Sequence, residues 1–269
     1  MDSLTTLALA LQSGAEVFLL HFNYQQKTEA RECACFAQIA DYYHIDAAHQ
    51  RIINLDFFHE IGGSSLTDAR LPVATYQGHH VNQHLGAAQE GHIPTSYVPF
   101  RNSIFIALAV AWAEVIKATK IYIGAVDEDS SGYPDCRKGY YAAYNHLLEV
   151  GTKDRNISIV TPVIDLSKAQ IIERALALNA PLHFTWACYQ NGEIACGICD
   201  SCLLRRRAYR QVGKEDPVTY RHPFPEDEDE KRGKGKGKGK GKGKEKEEKG
   251  TSNKNKKKNR NKDKGCILV

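Results

Sequence analysis

Apolar and polar positions follow two rhythms over the first 180 residues. Residues 4–14 (LTTLALALQSG) carry apolar side chains at helical spacing, with Asp2 or Ser3 placed to cap the start and Gly14 the end. Residues 15–24 (AEVFLLHFNY) are short and mostly apolar, the pattern of a buried strand. Helical spacing returns over 28–44 through Ala30, Cys33, Phe36, Ala37 and Ala40. A strand-like segment follows, centred on 51–55 (RIINL). Beyond a weakly periodic stretch at 56–95, Pro99 and the polar pair Arg101-Asn102 precede a strongly apolar helix that runs to Glu114, followed by a strand over 121–125 and a helix over 138–150. A strand over 157–162 and a helix from Ser167 to Leu178 complete it. This alternation predicts an α/β fold with a doubly wound, mostly parallel sheet and crossover helices. Such a sheet normally opens with a strand. None precedes the first helix, so the first strand reads as missing.

Cysteine spacing adds a second feature. Cys188, Cys196, Cys199 and Cys202 stand in the run WACYQNGEIACGICDSC, with spacing C-x7-C-x2-C-x2-C. Thiolates at C-x2-C spacing can turn back on one metal, and Gly197 sits where that turn must fold tightly. Four cysteines fill a tetrahedron, which predicts structural zinc with no vacancy for a catalytic water. Between residues 56 and 95 lie His59, His79, His80, His84 and His92. Only His80 and His84 have helical spacing, so a loop without metal is expected there.

Charge divides the chain. Of its 36 basic and 32 acidic residues, 17 and 4 lie after residue 230, leaving 19 and 28 before it. An acidic body therefore carries a basic tail. The tail begins at residues 226–230 (EDEDE) and runs into alternating Lys and Gly, which cannot bury apolar surface and predicts disorder. Three parts follow: an α/β domain at 1–182, a zinc-binding segment at 183–225 and a disordered charged tail at 226–269. The final residues, from Cys266, have the C-a-a-X form behind a polybasic run. That form allows prenylation and contact with anionic lipid. The plainer alternative is a solvated polyelectrolyte with weak affinity for nucleic acid. The body has no apolar signal segment and no run of membrane-spanning length, so a reducing, cytoplasmic setting is expected.

The loop at 127–137 (DEDSSGYPDCR) follows a predicted strand, where ligands of open α/β sheets gather. It is the best site candidate by position, although an ordinary polar turn has the same composition.

Taken in order, VPFRN at 98–102, GAVDEDSSGYPDCR at 124–137, PVIDLSK at 162–168 and the cysteine run resemble the 7-cyano-7-deazaguanine synthases. These are QueC-like members of the PP-loop ATP pyrophosphatase superfamily. The likeness covers about residues 1–210 and excludes the tail. It implies an adenine nucleotide α-hydrolase-like fold. The implied reaction is ATP-dependent conversion of 7-carboxy-7-deazaguanine and ammonia to the nitrile, with ATP and Mg2+ beside structural Zn2+. It also implies a homodimer that makes no direct tRNA contact. Within the resemblance, Asp2, Ser3, Phe22, Tyr24, Gln25 and Lys168 would bind ATP. Arg101, Asp127, Asp135 and Arg137 would act in catalysis, and Asn102 and Tyr133 would bind substrate. Glu128 and Asp129 would hold magnesium or the base edge. Cys136 reads as a buried thiol in preference to a nucleophile. The superfamily's Ser-Gly-Gly-x-Asp-Ser loop survives here only as Asp2-Ser3 after Met1. The expectation is a start lying upstream, with a degenerate relative as the alternative.

Overall fold

The computed structural model describes residues 1–76, 93–127, 132–225 and 264–268, the last three of these in backbone only. In chain order the elements are α1 (Asp2–Gln12), β1 (Glu16–Asn23), α2 (Glu29–Tyr42), β2 (Gln50–Asn54) and the short α3 (Phe57–Ile61). There follow α4 (Arg101–Ile116), β3 (Lys120–Ile123), α5 (Lys138–Gly151), β4 (Ser158–Val160), α6 (Lys168–Ala177), α7 (Asp200–Gln211) and β5 (Lys264–Leu268). The strands form one sheet in the order β2-β1-β5-β3-β4, parallel throughout.

Side chains of a strand alternate between faces, and β1 shows why its run is almost wholly apolar. Val17 and Leu19 join the core beneath α1, α2 and α6, with Leu4, Leu7, Phe36 and Ile172. Leu20 and Phe22 join the opposite core, with Ile106 and Ala109 of α4 and Leu148 of α5. Helices on both faces leave no wet side for a central strand, so apolar residues occupy successive positions. At the sheet edge the demand relaxes: Ile52 of β2 is 49% exposed.

Element ends follow local chemistry. Gly14 takes φ +81° just beyond α1, where its amide donates to the Leu11 carbonyl. Ser167 caps α6 through a reciprocal pair with Gln170. The cap predicted for α1 does not form: no side chain bonds its first amides, and Asp2 turns towards α6 instead.

The structure corrects one larger expectation. Residues 264–268, read as part of a structureless tail, form the central strand and fill the place where a strand had seemed missing. Five residues carry too little periodicity to announce a strand. Pairing on both sides supplies what local preference does not. The remainder of the charged tail, 226–263, lies outside the described residues, as do His79, His80, His84 and His92. No described helix is long and apolar enough to cross a membrane.

The contrast between centre and edge is measurable by urea denaturation. Leu19→Ala is expected to cost roughly 2–5 kcal/mol. Ile52→Ala is expected to cost about 0.5 kcal/mol or less.

Candidate active site and metal centre

Order along the sheet reverses beside β5, with β1 and β2 to one side and β3 and β4 to the other. Open α/β sheets bind ligands at the carboxyl ends of the strands flanking such a reversal. A cleft of about 360 Å³ lies there. Ser3, Phe22, Tyr24, Arg101 and Asn102 line it.

One wall is the first turn of α1. A Cβ on Gly124 would stand 2.5 Å from the Ser3 amide nitrogen, so only glycine lets this turn rest on the end of β3. The turn leaves free amides at a helix N-terminus, an anion-binding arrangement. Lys168 Nζ donates to Asp2 Oδ2 at 2.5 Å, which brings the start of α6 to the same corner. Burial opposes the Asp2 charge, but the Lys168 ammonium and neighbouring positive charges together outweigh it, and the carboxyl titrates below its ordinary range.

A second wall is aromatic. Phe22 stacks on Phe105 at 4.1 Å between centroids. Arg101 Nη1 donates to the Tyr24 hydroxyl at 2.9 Å, and its guanidinium lies 5.4 Å from the Tyr24 ring centroid and 5.6 Å from that of Phe105. Burial pushes the Tyr24 hydroxyl up to about 12, so it stays protonated beside the arginine. Arg101 Nε and Trp186 Nε1 are enclosed donors with no hydrogen-bond partner among the described residues. They remain for a ligand's acceptors. Phe100, immediately before α4, is held at φ +56°, a left-handed conformation unusual for a bulky residue and a mark of local strain at a site.

Several anticipated residues sit elsewhere. Gln25 also has a left-handed backbone and donates its amide to Asp56 at 2.8 Å, outside the cleft lining, while the neighbouring Gln26 lines it. Asp135 is buried and accepts from the Asn102 backbone amide at 3.2 Å, so it caps α4. Burial raises its pKa, opposed by that amide and by Arg101. Asp127 accepts from the Lys138 amide at 3.3 Å at the head of α5. Arg137 is exposed at the cap of that helix. Tyr133 donates to Ser96 Oγ at 2.7 Å and packs against Tyr97. Cys136 does line the cleft, and burial pushes its thiol up to about 11, which keeps it neutral at pH 7. Glu128 and Asp129 lie outside the described residues.

The residues that the sequence reading missed come from two places. Gln26, Thr28 and Glu32 form a network in which Glu32 accepts from Gln26 at 2.9 Å and from Thr28 at 2.6 Å. Trp186, Ala187 and Tyr189 reach the cleft from the cysteine segment.

That segment gathers Cys188, Cys196, Cys199 and Cys202 with all four sulfurs within 4.8 Å of one another, buried and not disulfide-bonded. Tetrahedral sulfurs around zinc at about 2.3 Å are about 3.8 Å apart. The Cys196 and Cys202 sulfurs are 3.9 Å apart. The donor set is therefore consistent with zinc. The Cys196 amide points at Cys188 Sγ at 3.2 Å, orientation that suits a thiolate. Gly197 takes φ +85° in the turn, where a Cβ would stand 2.8 Å from the His222 carbonyl oxygen. Behind the cluster, Arg205 makes a buried two-pronged pair with Asp216 at 2.8 and 2.9 Å. Charge spacing gave no sign of that pair.

A model of the family described as "Queuosine biosynthesis protein QueC" matches residues 1–213. The chain belongs to the QueC family. It is 51% identical over 221 residues to the 7-cyano-7-deazaguanine synthase of Chlorobaculum parvum, covering 82% of this chain and 92% of that protein. The enzyme of the same name from Chlorobium chlorochromatii is also 51% identical, over 223 residues with the same coverage. That from Chlorobaculum tepidum is 50% identical over 221 residues. QueC membership places the chain among ATP-dependent ligases that work on small molecules.

Two outcomes are expected. Cys199→Ser should remove the metal, read as zinc per chain by elemental analysis, and lower Tm by roughly 10 °C, a loss of a few kcal/mol. For Asp2, the depressed pKa means that its stabilisation is present above the ordinary carboxylate range and is lost as pH falls through its own lower value. The stability gap between the unmodified chain and Lys168→Met should therefore be wide at pH 7 and narrow in acid. A constant gap in denaturation curves from pH 7 to 3 would contradict this.

Proposed function

We propose that the chain makes 7-cyano-7-deazaguanine from 7-carboxy-7-deazaguanine, ammonia and MgATP. The observation that carries this reading is the cleft itself. A helix N-terminus and a paired Lys168 stand on one side, and an aromatic wall holding Arg101 stands on the other.

A carboxylate oxygen is a poor leaving group, and adenylation makes it a good one. The substrate carboxylate attacks the α-phosphorus of ATP, and the bond to pyrophosphate breaks. Ammonia attacks the resulting acyl carbon, AMP leaves, and one proton is lost to give the amide. In a second round the amide oxygen attacks the α-phosphorus of another ATP. Loss of AMP with the remaining amide protons then leaves the nitrile. Magnesium, arriving with the nucleotide, spreads the phosphate charge.

The protein's share is position and charge. The first-turn amides of α1 and the Ser3 hydroxyl hold phosphate oxygens. Asp2 keeps Lys168 aimed at that corner. Phe22 and Tyr24 flank the nucleotide, and Arg101 neutralises the carboxylate as it approaches phosphorus. Asp135 acts through α4, positioning Arg101 and Asn102. Asp127 acts likewise through α5. Tyr133, with Tyr189, shapes the side that takes the deazaguanine.

The test is turnover by the full chain with 7-carboxy-7-deazaguanine, ammonium, magnesium and ATP, reading nitrile and AMP by mass spectrometry. Arg101→Met is expected to lower kcat about 10²–10³-fold while zinc content stays unchanged. Nitrile formation by the variant at the unmodified rate would remove Arg101 from this role. Absence of both products from the unmodified chain would overturn the reading.

A further inference from the structure

Among the described elements, the central strand comes from farthest along the chain. Thirty-eight residues, 226–263, separate Pro225 from Lys264. Even so, β5 pairs in register on both sides. Phe18 and Ile121 stand opposite Cys266, and Leu20 and Ile123 stand opposite Leu268. Its first residue is fitted to the slot. The Lys264 carbonyl accepts from the Thr119 amide at 3.1 Å, and its ammonium lies 3.9 Å from Glu16 and 5.6 Å from the Phe18 ring centroid. Gly265 is tighter still, because a Cβ there would stand 2.7 Å from the Tyr122 ring.

The far end of β5 bears on the cleft. Ile123, level with Leu268, is followed by Gly124, against which Ser3 packs. Leu20, on the other side of Leu268, is followed by the cleft residues His21 and Phe22. The strand thus runs directly towards the first turn of α1.

We propose that residues 264–268 are a docking strand, inserted by the chain into its own sheet, and that docking builds the anion-binding corner jointly with the start of α1. For the ligand this rests on the nucleotide reading above; for the docking it does not. Strand addition draws its affinity from main-chain hydrogen bonds, and β1 and β3 each offer a full parallel edge. Without β5 those buried edges lose their partners and α1 loses the floor it packs on. Nucleotide binding and docking are then coupled, each strengthening the other by the same factor.

Hydrogen exchange on the full chain tests the docking. Amides of 265–268 should be protected as strongly as those of β1, and should remain so after dilution to a monomer. Exchange at free-peptide rates overturns the proposal. So does protection lost on dilution, which would mean that a second copy supplies the strand. The coupling is tested by ATP binding. Gly265→Val should weaken it about tenfold or more through the clash with Tyr122, and Tyr122→Ala added to it should restore most of the loss. A Gly265→Val chain that binds ATP normally overturns the coupling. Protected amides in an unmodified chain that binds no ATP would instead sink the nucleotide reading and leave the docking standing.

Discussion

Parallel pairing of β5 with β1 on one side and β3 on the other joins the two halves of the sheet. The cores above and below it depend on that join. Leu19 and Tyr122 approach the same helical layer from different halves, and Leu20 and Ile121 approach the other. A parallel sheet has no wet face on which unpaired backbone can find water. The backbone ladder is thus the condition for the core, and the core for the cleft at its carboxyl end.

Lys27, Glu32 and Arg101 bring charge to the cleft lining, and the Asp2–Lys168 pair stands at its α1 corner. Asp2 and Lys168 neutralise one another across the junction of α1 and α6. A partly buried pair of this kind is a weak source of net stability, because desolvation offsets much of the attraction. Its value lies in geometry: the ammonium is held beside free helix amides. Arg101 is held differently, by a Tyr24 hydroxyl and two aromatic faces, with no carboxylate bonded to it among the described residues. Its charge stays available to an anionic ligand.

Legibility from sequence followed the range of the forces involved. The alternation of helix and strand from Leu4 to Leu178 was legible because burial on both faces writes long apolar runs. The cysteine centre was legible because metal geometry fixes spacing within fifteen residues. Ser3, Phe22, Tyr24, Arg101 and Asn102 were found at the cleft because they stand at element ends. Non-local features were not legible. Gln25 and Gln26 differ only in which way a left-handed backbone turns them. Asp127 and Asp135 read from the sequence as loop carboxylates, and no local pattern announces that each also accepts from an amide at the start of a helix. The place of residues 264–268 rests on pairing with strands some 140 and 240 residues away, and Lys-Gly composition beside them concealed a strand of five.

The metal centre belongs to the same argument as the cleft. Cys188 lies between Ala187 and Tyr189, and Trp186 precedes both; these three neighbours line the cleft. The loop that carries them has no regular secondary structure from Thr185 to Gln190. Its fixed points are the sulfur cluster and the Arg205 guanidinium, which also donates to Thr185 Oγ1 at 2.7 Å. Zinc here would do no chemistry, yet four thiolates gathered on one ion would set where Trp186 and Tyr189 stand. A structural metal can in this way shape a pocket that it never touches, by holding still the short loop between itself and the ligand.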